Sequence, residues 1–192
     1  MKTIAIFASG SGTNAENIIK YTTTAGCNYK VACVVYNRKQ AQVKDRAAAL
    51  GIPALYIAPE QWSEPATVLG LLRPFCPDAI ILAGFLRMVP GYLLEAYPER
   101  ILNIHPALLP SNYGGKGMYG NRVHEAVKAA GEAETGITIH VIDEEYDQGR
   151  IIFRAKVGIL PTDTPADIAQ KVHELEYKYY PVVIADWLSL LP

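Results

Sequence analysis

Cysteine, clustered positive charge and long apolar runs are all scarce in this 192-residue chain. No block of Lys and Arg stands out, and the net charge is −1 with a pI near 6.4. The electrostatic footprint of a nucleic-acid binder is therefore missing, and small-molecule partners are expected. The opening apolar segment, Met1 to Ala8, meets Ser9-Gly10-Ser11-Gly12 too early to be a signal peptide or a membrane span. The expectation is a cytoplasmic protein with no membrane partner. Cys27, Cys33 and Cys76 have no paired spacing, which suits inert thiols in a reducing compartment. His105, His124, His140 and His173 share no metal-ligand spacing with one another or with the cysteines, so no metal is expected. No Ser or Cys is set as a nucleophile. An acyl-enzyme is disfavoured, and direct transfer between two bound substrates fits better.

What is present is an ordinary globular balance, 50% apolar and 19% charged, in a length suited to one domain with a real core. Continuous apolar, β-branched runs at 2–8, 31–36, 78–82 and 100–104 read as buried strands. Helical patterns at 14–24, 41–50, 60–73 and 90–96 separate them. This alternation predicts an α/β fold, a doubly wound and mainly parallel sheet covered on both faces. The second half differs. Residues 136–142 and 150–157 alternate, with Ile137, Ile139 and Val141 matched to Ile151, Phe153, Ala155 and Val157, and a polar turn joins them. These read as an antiparallel pair. Asp163 or Thr164 then caps a long final helix, with a buried stripe of Ile168, Val172, Leu175 and Tyr179 and a kink at Pro181.

The segment SGSGTNA, Ser9 to Ala15, joins the first strand to the first helix and satisfies the dinucleotide fingerprint through Gly10, Gly12 and Ala15. A dinucleotide also needs an acid at the end of the second strand for its ribose hydroxyls. Here that strand ends Val35-Tyr36-Asn37, and no acid follows until Asp45. NAD is therefore not expected. Ser11, Gly12, Thr13 and Asn14 suit a single phosphate, held by helix N-terminal amides with a hydroxyl and an amide beside them. A Cβ at Gly12 is expected to crowd the bound oxygen. The blander reading is a glycine turn with no ligand.

Ligands of such sheets lie outside the carboxyl ends of the strands. At one such end stands RILNIHPALLP, where Asn103 and His105 share a face by period-two spacing and Pro106 closes the strand. An amide can donate to a carbonyl oxygen, and an imidazole can take or give a proton near neutral pH. Such an imidazole wants an orienting carboxylate. The turn between the antiparallel strands offers Asp143, Glu144, Glu145 and Asp147. Asp147 is favoured because Asp-Gln-Gly fixes it at the turn's end, while spacing leaves the other acids open. Singly, each residue has a bland reading as a turn or core group.

The stretches SGSGTN, ILAGFLRMV, LNIHPALLP, GITIHVIDEEYDQGRII and HELEYKYYP resemble the folate-dependent formyltransferases, most of all the glycinamide ribonucleotide (GAR) branch of purine synthesis. The resemblance runs in order from residue 3 to about 183. It implies a single formyltransferase domain over 1–192, with a phosphate-binding half at about 1–100 and a folate-binding and catalytic half at about 101–192. It implies Asn103, His105 and Asp147 as the catalytic trio, and 10-formyltetrahydrofolate as co-substrate. It further implies that Ser11, Gly12, Thr13 and Asn14 hold the GAR phosphate and Glu176 its ribose hydroxyls. Arg87, Met88, Val89, Asn103, Val141, Asp143 and Glu144 would line the folate pocket. The members that act on tRNA or hydrolyse formylfolate carry an extra domain, for which this chain is expected to leave no room. A monomer or a homodimer is expected. The segment SNYGGKGMYGNRVHEAV departs from the family pattern in length and glycine content, and its Lys116 and Met118 have no safe counterpart.

Overall fold

The computed structural model describes residues 1–192, in which a seven-stranded sheet is interleaved with six α-helices. The chain runs through β1 (Lys2–Ala8), α1 (Thr13–Tyr21), β2 (Tyr29–Tyr36), α2 (Val43–Ala49), β3 (Ala54–Tyr56), α3 (Pro65–Leu72), β4 (Ala79–Leu82), α4 (Gly91–Ala96) and β5 (Ile101–His105). It continues through α5 (Asn121–Ala129), β6 (Glu134–Val141), β7 (Ile151–Gly158) and α6 (Pro165–Leu190). The strand order is β3-β2-β1-β4-β5-β6-β7. The α/β fold, mainly parallel with an antiparallel pair near the C-terminus and a long last helix, is the one the sequence predicts. No helix is long and apolar enough to cross a membrane.

The chain forms two compact units, one of Met1–Leu102 with Ile184–Pro192, the other of Asn103–Val183. In the first, β1 lies between β2 and β4 and is parallel to both, and β3 extends β2 in parallel. Ile4 to Ala8 are wholly buried, as a parallel strand covered on both faces must be. Gly12 starts α1 from a left-handed conformation at φ 78°, and its carbonyl accepts from Glu16 N–H at 2.9 Å. The helix ends where Thr22, Thr23 and Thr24 turn their hydroxyls back onto the carbonyls of Ile19, Lys20 and Tyr21. Such back-bonding gives the chain an alternative to further helix.

Two elements of this unit differ from the sequence reading. The helix expected over 60–73 is a 3₁₀ turn, Pro59–Ser63, followed by α3. The break falls where Pro65 drives Glu64 into an extended conformation, φ −110° and ψ 93°, so that a new helix begins at the proline. β3 was not expected at all. Three half-buried residues carry too little pattern to be read before β2 is there to pair with them.

In the second unit β6 and β7 pair antiparallel, with Ile137 opposite Ala155 and Ile139 opposite Phe153, as the alternation predicts. A bulge after Ile139 then sets Ile151 against His140 rather than Val141. Contrary to a one-faced strand, every residue from Thr135 to Val141 is buried. Helix α5 follows the glycine-rich segment and takes up its last residues, from Asn121 on. It buries Val123, His124 and Val127, and its satellite core of Ala107, Val123 and Val127 is closed over by Tyr113 and Met118. Met118 thus anchors the loop whose residues had no family counterpart.

Thr164, not Asp163, caps α6. Its hydroxyl accepts from Asp167 N–H at 3.2 Å, and Asp167 Oδ2 accepts from Thr164 N–H at 2.8 Å, a reciprocal box. Asp163 instead ties Leu160 N–H at 2.8 Å and Lys171 at 2.5 Å. The helix continues through Pro181. Up to Tyr180 its buried positions are Ile168, Val172, Glu176 and Tyr180, while Leu175 and Tyr179 are only half-buried. The stripe is rotated from the expected one and has a carboxylate in it.

Candidate active site

In the first unit the strand order reverses between β1 and β4, the position where sheets of this class take their ligands. The turns leaving those two strands are tied together. Ser9 N–H donates to Gly84 O at 3.0 Å, and Leu86 N–H donates to Ser9 Oγ at 2.9 Å. The glycine loop and the 84–89 turn are therefore neighbours. Ser11 is exposed, Gly12 buried, and Thr13 and Asn14 partly buried. Of the expected folate residues here, Arg87 and Met88 are exposed and Val89 is buried. Arg87 lies over the Trp62 ring, 5.9 Å from its centroid.

The structure supplies a reason for glycine at position 12 from the protein side. A Cβ there would lie 2.4 Å from Val43 Cγ2 and 2.6 Å from Val43 Cα, at a φ of +78°. What it would crowd is the first residue of α2. Gly10, by contrast, has open space around its Cβ position.

In the second unit Asn103, His105 and Asp147 do come together, with His140 among them. His105 is almost fully buried, and its Nε2 lies 2.6 Å from the carbonyl oxygen of Tyr113. A carbonyl only accepts, so Nε2 carries the proton and Nδ1 is the nitrogen that gains or loses one. Asp147 Oδ2 stands 3.5 Å from that Nδ1 and accepts Gly115 N–H at 2.8 Å. Asp147 Oδ1 stands 3.6 Å from His140 Nε2, which is also 3.0 Å from Asn103 Nδ2.

Two proton placements suit that last contact. If His140 Nε2 accepts from the Asn103 amide, the ring proton sits on Nδ1, which is buried without a partner. If Nε2 carries the proton and the Asn103 amide is turned over, Nε2–H faces both Asp147 Oδ1 and the Asn103 carbonyl oxygen, and both amide hydrogens are left for a ligand. The adjacent carboxylate and the cost of an orphaned buried N–H favour the second.

Burial pushes the His105 imidazole below its usual range, opposed by the Asp147 carboxylate, the Tyr113 carbonyl and the charge of Glu176. It is therefore a neutral base at pH 7. Burial acts to raise the Asp147 carboxyl, but the His140 imidazole, His105 and the Gly115 amide outweigh it and hold the group below its usual value. Asp147 is thus an anion beside a neutral imidazole, the state in which a proton on His105 is stabilised.

Glu176 lies in the buried stripe of α6, accepting from His173 Nδ1 at 2.7 Å. That bond raises the His173 imidazole above its usual range. Val141 is buried at the end of β6, while Asp143 and Glu144 are exposed in the following turn, where Asp143 Oδ1 accepts Glu145 N–H at 3.0 Å. Neither acid is bonded to the His105 imidazole, and Asp147 is the acid of the turn that faces it. No group of three His, Cys, Asp or Glu side chains is arranged to hold a metal ion.

The sequence reading passed over His140, the Tyr113 carbonyl and the Gly115 amide. His140 carried a signal: it sits in β6 opposite in phase to the isoleucine stripe, one residue before the strand's end.

A buried imidazole with a partly buried amide and carboxylate near it, and no nucleophilic side chain among them, is an arrangement suited to a group transferase. The chain belongs to the formyl transferase family, whose model matches residues 2–184. It is 37% identical to the phosphoribosylglycinamide formyltransferase of Bacillus subtilis (strain 168), over 99% of this chain and 96% of that protein. It is 39% identical to the chloroplastic phosphoribosylglycinamide formyltransferase of Arabidopsis thaliana, over 95% of this chain but 64% of that protein, so the chain spans just under two thirds of the plant protein's length. The crystal structure of the phosphoribosylglycinamide formyltransferase of Bacillus halodurans is similar with a TM-score of 0.89 and 35% identity, covering 98% of this chain and 96% of that one.

Proposed function

We infer that the chain transfers the formyl group of 10-formyltetrahydrofolate to the glycyl amine of 5′-phosphoribosylglycinamide, giving formyl-GAR and tetrahydrofolate in de novo purine synthesis. The observation that carries this reading is the Asp147–His105 pair beside Asn103, in a chain more than a third identical over nearly its whole length to an enzyme of that name. The work takes place in the cytoplasm and needs neither metal nor NAD.

In this reading the neutral amine attacks the formyl carbon, forming a tetrahedral centre with an oxyanion and an ammonium. Asn103 Nδ2–H and the Nε2–H of His105 meet the oxyanion, and Asp147 stabilises the positive charge the imidazole gains as the ammonium proton is relayed past its Nδ1. The ammonium proton passes, by way of a water held near His105 and Asp147, to the folate nitrogen as that bond breaks. Ser11, Gly12, Thr13 and Asn14 take the phosphate, and Glu176 the ribose hydroxyls. Arg87, Met88, Val89, Val141, Asp143 and Glu144 take the folate, largely through backbone groups. His105 Nε2 is bonded to the Tyr113 carbonyl, so that contact gives way when the oxyanion arrives.

The test is incubation with 10-formyltetrahydrofolate, followed by the absorbance of the released folate. Release should be very slow alone and become rapid and stoichiometric with formyl-GAR when GAR is added. Well-oriented reactants gain effective molarities of roughly 10⁵ M or more, which water does not. Fast formate release that GAR neither speeds nor diverts would identify a hydrolase instead.

A further inference from the structure

The back of the glycine loop is gripped by α2. Val43 N–H donates to Gly10 O at 3.3 Å, and Arg46 Nε–H donates to Ser11 O at 2.9 Å. Both peptide links are trans, and in a planar trans peptide the carbonyl and the following N–H point in opposite directions. Fixing these two oxygens on α2 therefore turns the N–H groups of Ser11 and Gly12 to the opposite side. Neither of those amides donates to another group of the protein.

The loop also has no slack toward α2, because Gly12 already packs on Val43 too closely to admit a Cβ. Arg46 is itself held. Its Nη1 pairs with Glu16 in the first turn of α1, and the other carboxylate oxygen of Glu16 takes Lys20 at 2.5 Å. Lys20 and Arg46 together keep the Glu16 carboxyl below its usual range. One guanidinium thus joins α2, the loop carbonyl and the start of α1.

We propose that Arg46 is a positioning residue for phosphate recognition: it holds the loop from behind and aims the Ser11 and Gly12 amides at the ligand. The proposal rests on the reading of Ser11 to Asn14 as the phosphate site. Arg46 touches the loop's carbonyl side, so its contribution is geometric and does not depend on its charge meeting the phosphate.

The test compares kcat and KM for GAR and for its 5′-dephospho form in the wild type and in Arg46→Ala, Arg46→Gln and Arg46→Lys. Arg46→Ala should raise KM for GAR about tenfold, the weight of one charge-assisted hydrogen bond, with kcat and the KM for formylfolate little changed. KM for the dephospho form should hardly move. Arg46→Gln should recover most of the loss, since an amide can donate to Ser11 O without a charge. Recovery by Lys and not by Gln would show a direct charge effect and overturn the positioning role. An Arg46→Ala enzyme that keeps the wild-type preference for GAR over its dephospho form would overturn it as well. A wild type with no such preference would instead overturn the phosphate reading of the loop, and the brace with it.

Discussion

Asp147 reaches the Nδ1 of His105, at 3.5 Å, from a backbone with φ +57°. That left-handed conformation is costly for most side chains, but Asp and Asn adopt it more readily than others. Asp147→Asn therefore keeps the turn while removing the charge that stabilises an imidazolium. We expect it to lower kcat about 10²–10⁴-fold with little change in GAR affinity, and His105→Ala to do the same. Steady-state kinetics with a separate equilibrium measurement of GAR binding decides it. Near-wild-type kcat in either variant would remove that residue from the chemistry.

His140 should act through Asn103. With the ring removed in His140→Ala, nothing holds the amide with its hydrogens toward the substrate, and kcat should fall about tenfold or more. Asn103→Ala should lose on the order of 10²-fold. In the double variant the two losses should not add, because the ring has no amide left to orient. Fully additive losses would mean that His140 works by some route other than Asn103.

Glycine substitutions at positions 10 and 12 should differ in their effect on stability. Gly12→Ala places a methyl group against the backbone of Val43 at a positive φ, and should destabilise the protein by roughly 1–3 kcal/mol. Gly10→Ala has open space and an ordinary φ, so its melting temperature should stay near that of the wild type. Urea unfolding of the two variants measures the difference. Equal stabilities would mean that the loop and α2 separate at little cost.

Two buried histidines and the His173–Glu176 pair should pull stability in opposite directions with pH. Burial lowers the imidazoles of His105 and of His124, the latter with the His173 charge adding to it. For both, the unfolded chain binds the proton more readily, so stability falls as pH drops below the unfolded value near 6.5. Asp147, lowered too, adds a further loss once pH falls through its own folded value. His173 is raised by its bond to Glu176, so its contribution is complete below 6.5 and is lost as pH rises through the folded value. Melting temperatures from pH 5 to 8 should show His124→Gln flattening the acid side and His173→Gln flattening the alkaline side. The reverse assignment would contradict the burial of His124 and the His173–Glu176 bond.

What the sequence determined by itself was whatever local chemistry dictates. Unbroken β-branched runs can only be strands covered on both faces, so β1, β2 and β4 were legible, as was the antiparallel pair with Ile137 opposite Ala155. Asn103 and His105 followed from a period of two and a closing proline. Tertiary structure decided the rest, because its causes lie far apart along the chain. β3 exists through pairing with β2, and α5 through a core shared with Ala107 and Tyr113. Spacing left Asp147 one choice among several acids. It is singled out by a left-handed turn that turns its two oxygens toward two histidines on different strands. Glu176, which composition alone would leave in solvent, is placed in the buried stripe of α6, where His173 holds it. A reason for glycine at 12 likewise lies outside the loop, in the side chain and backbone of Val43 thirty-one residues on, a contact no local pattern encodes.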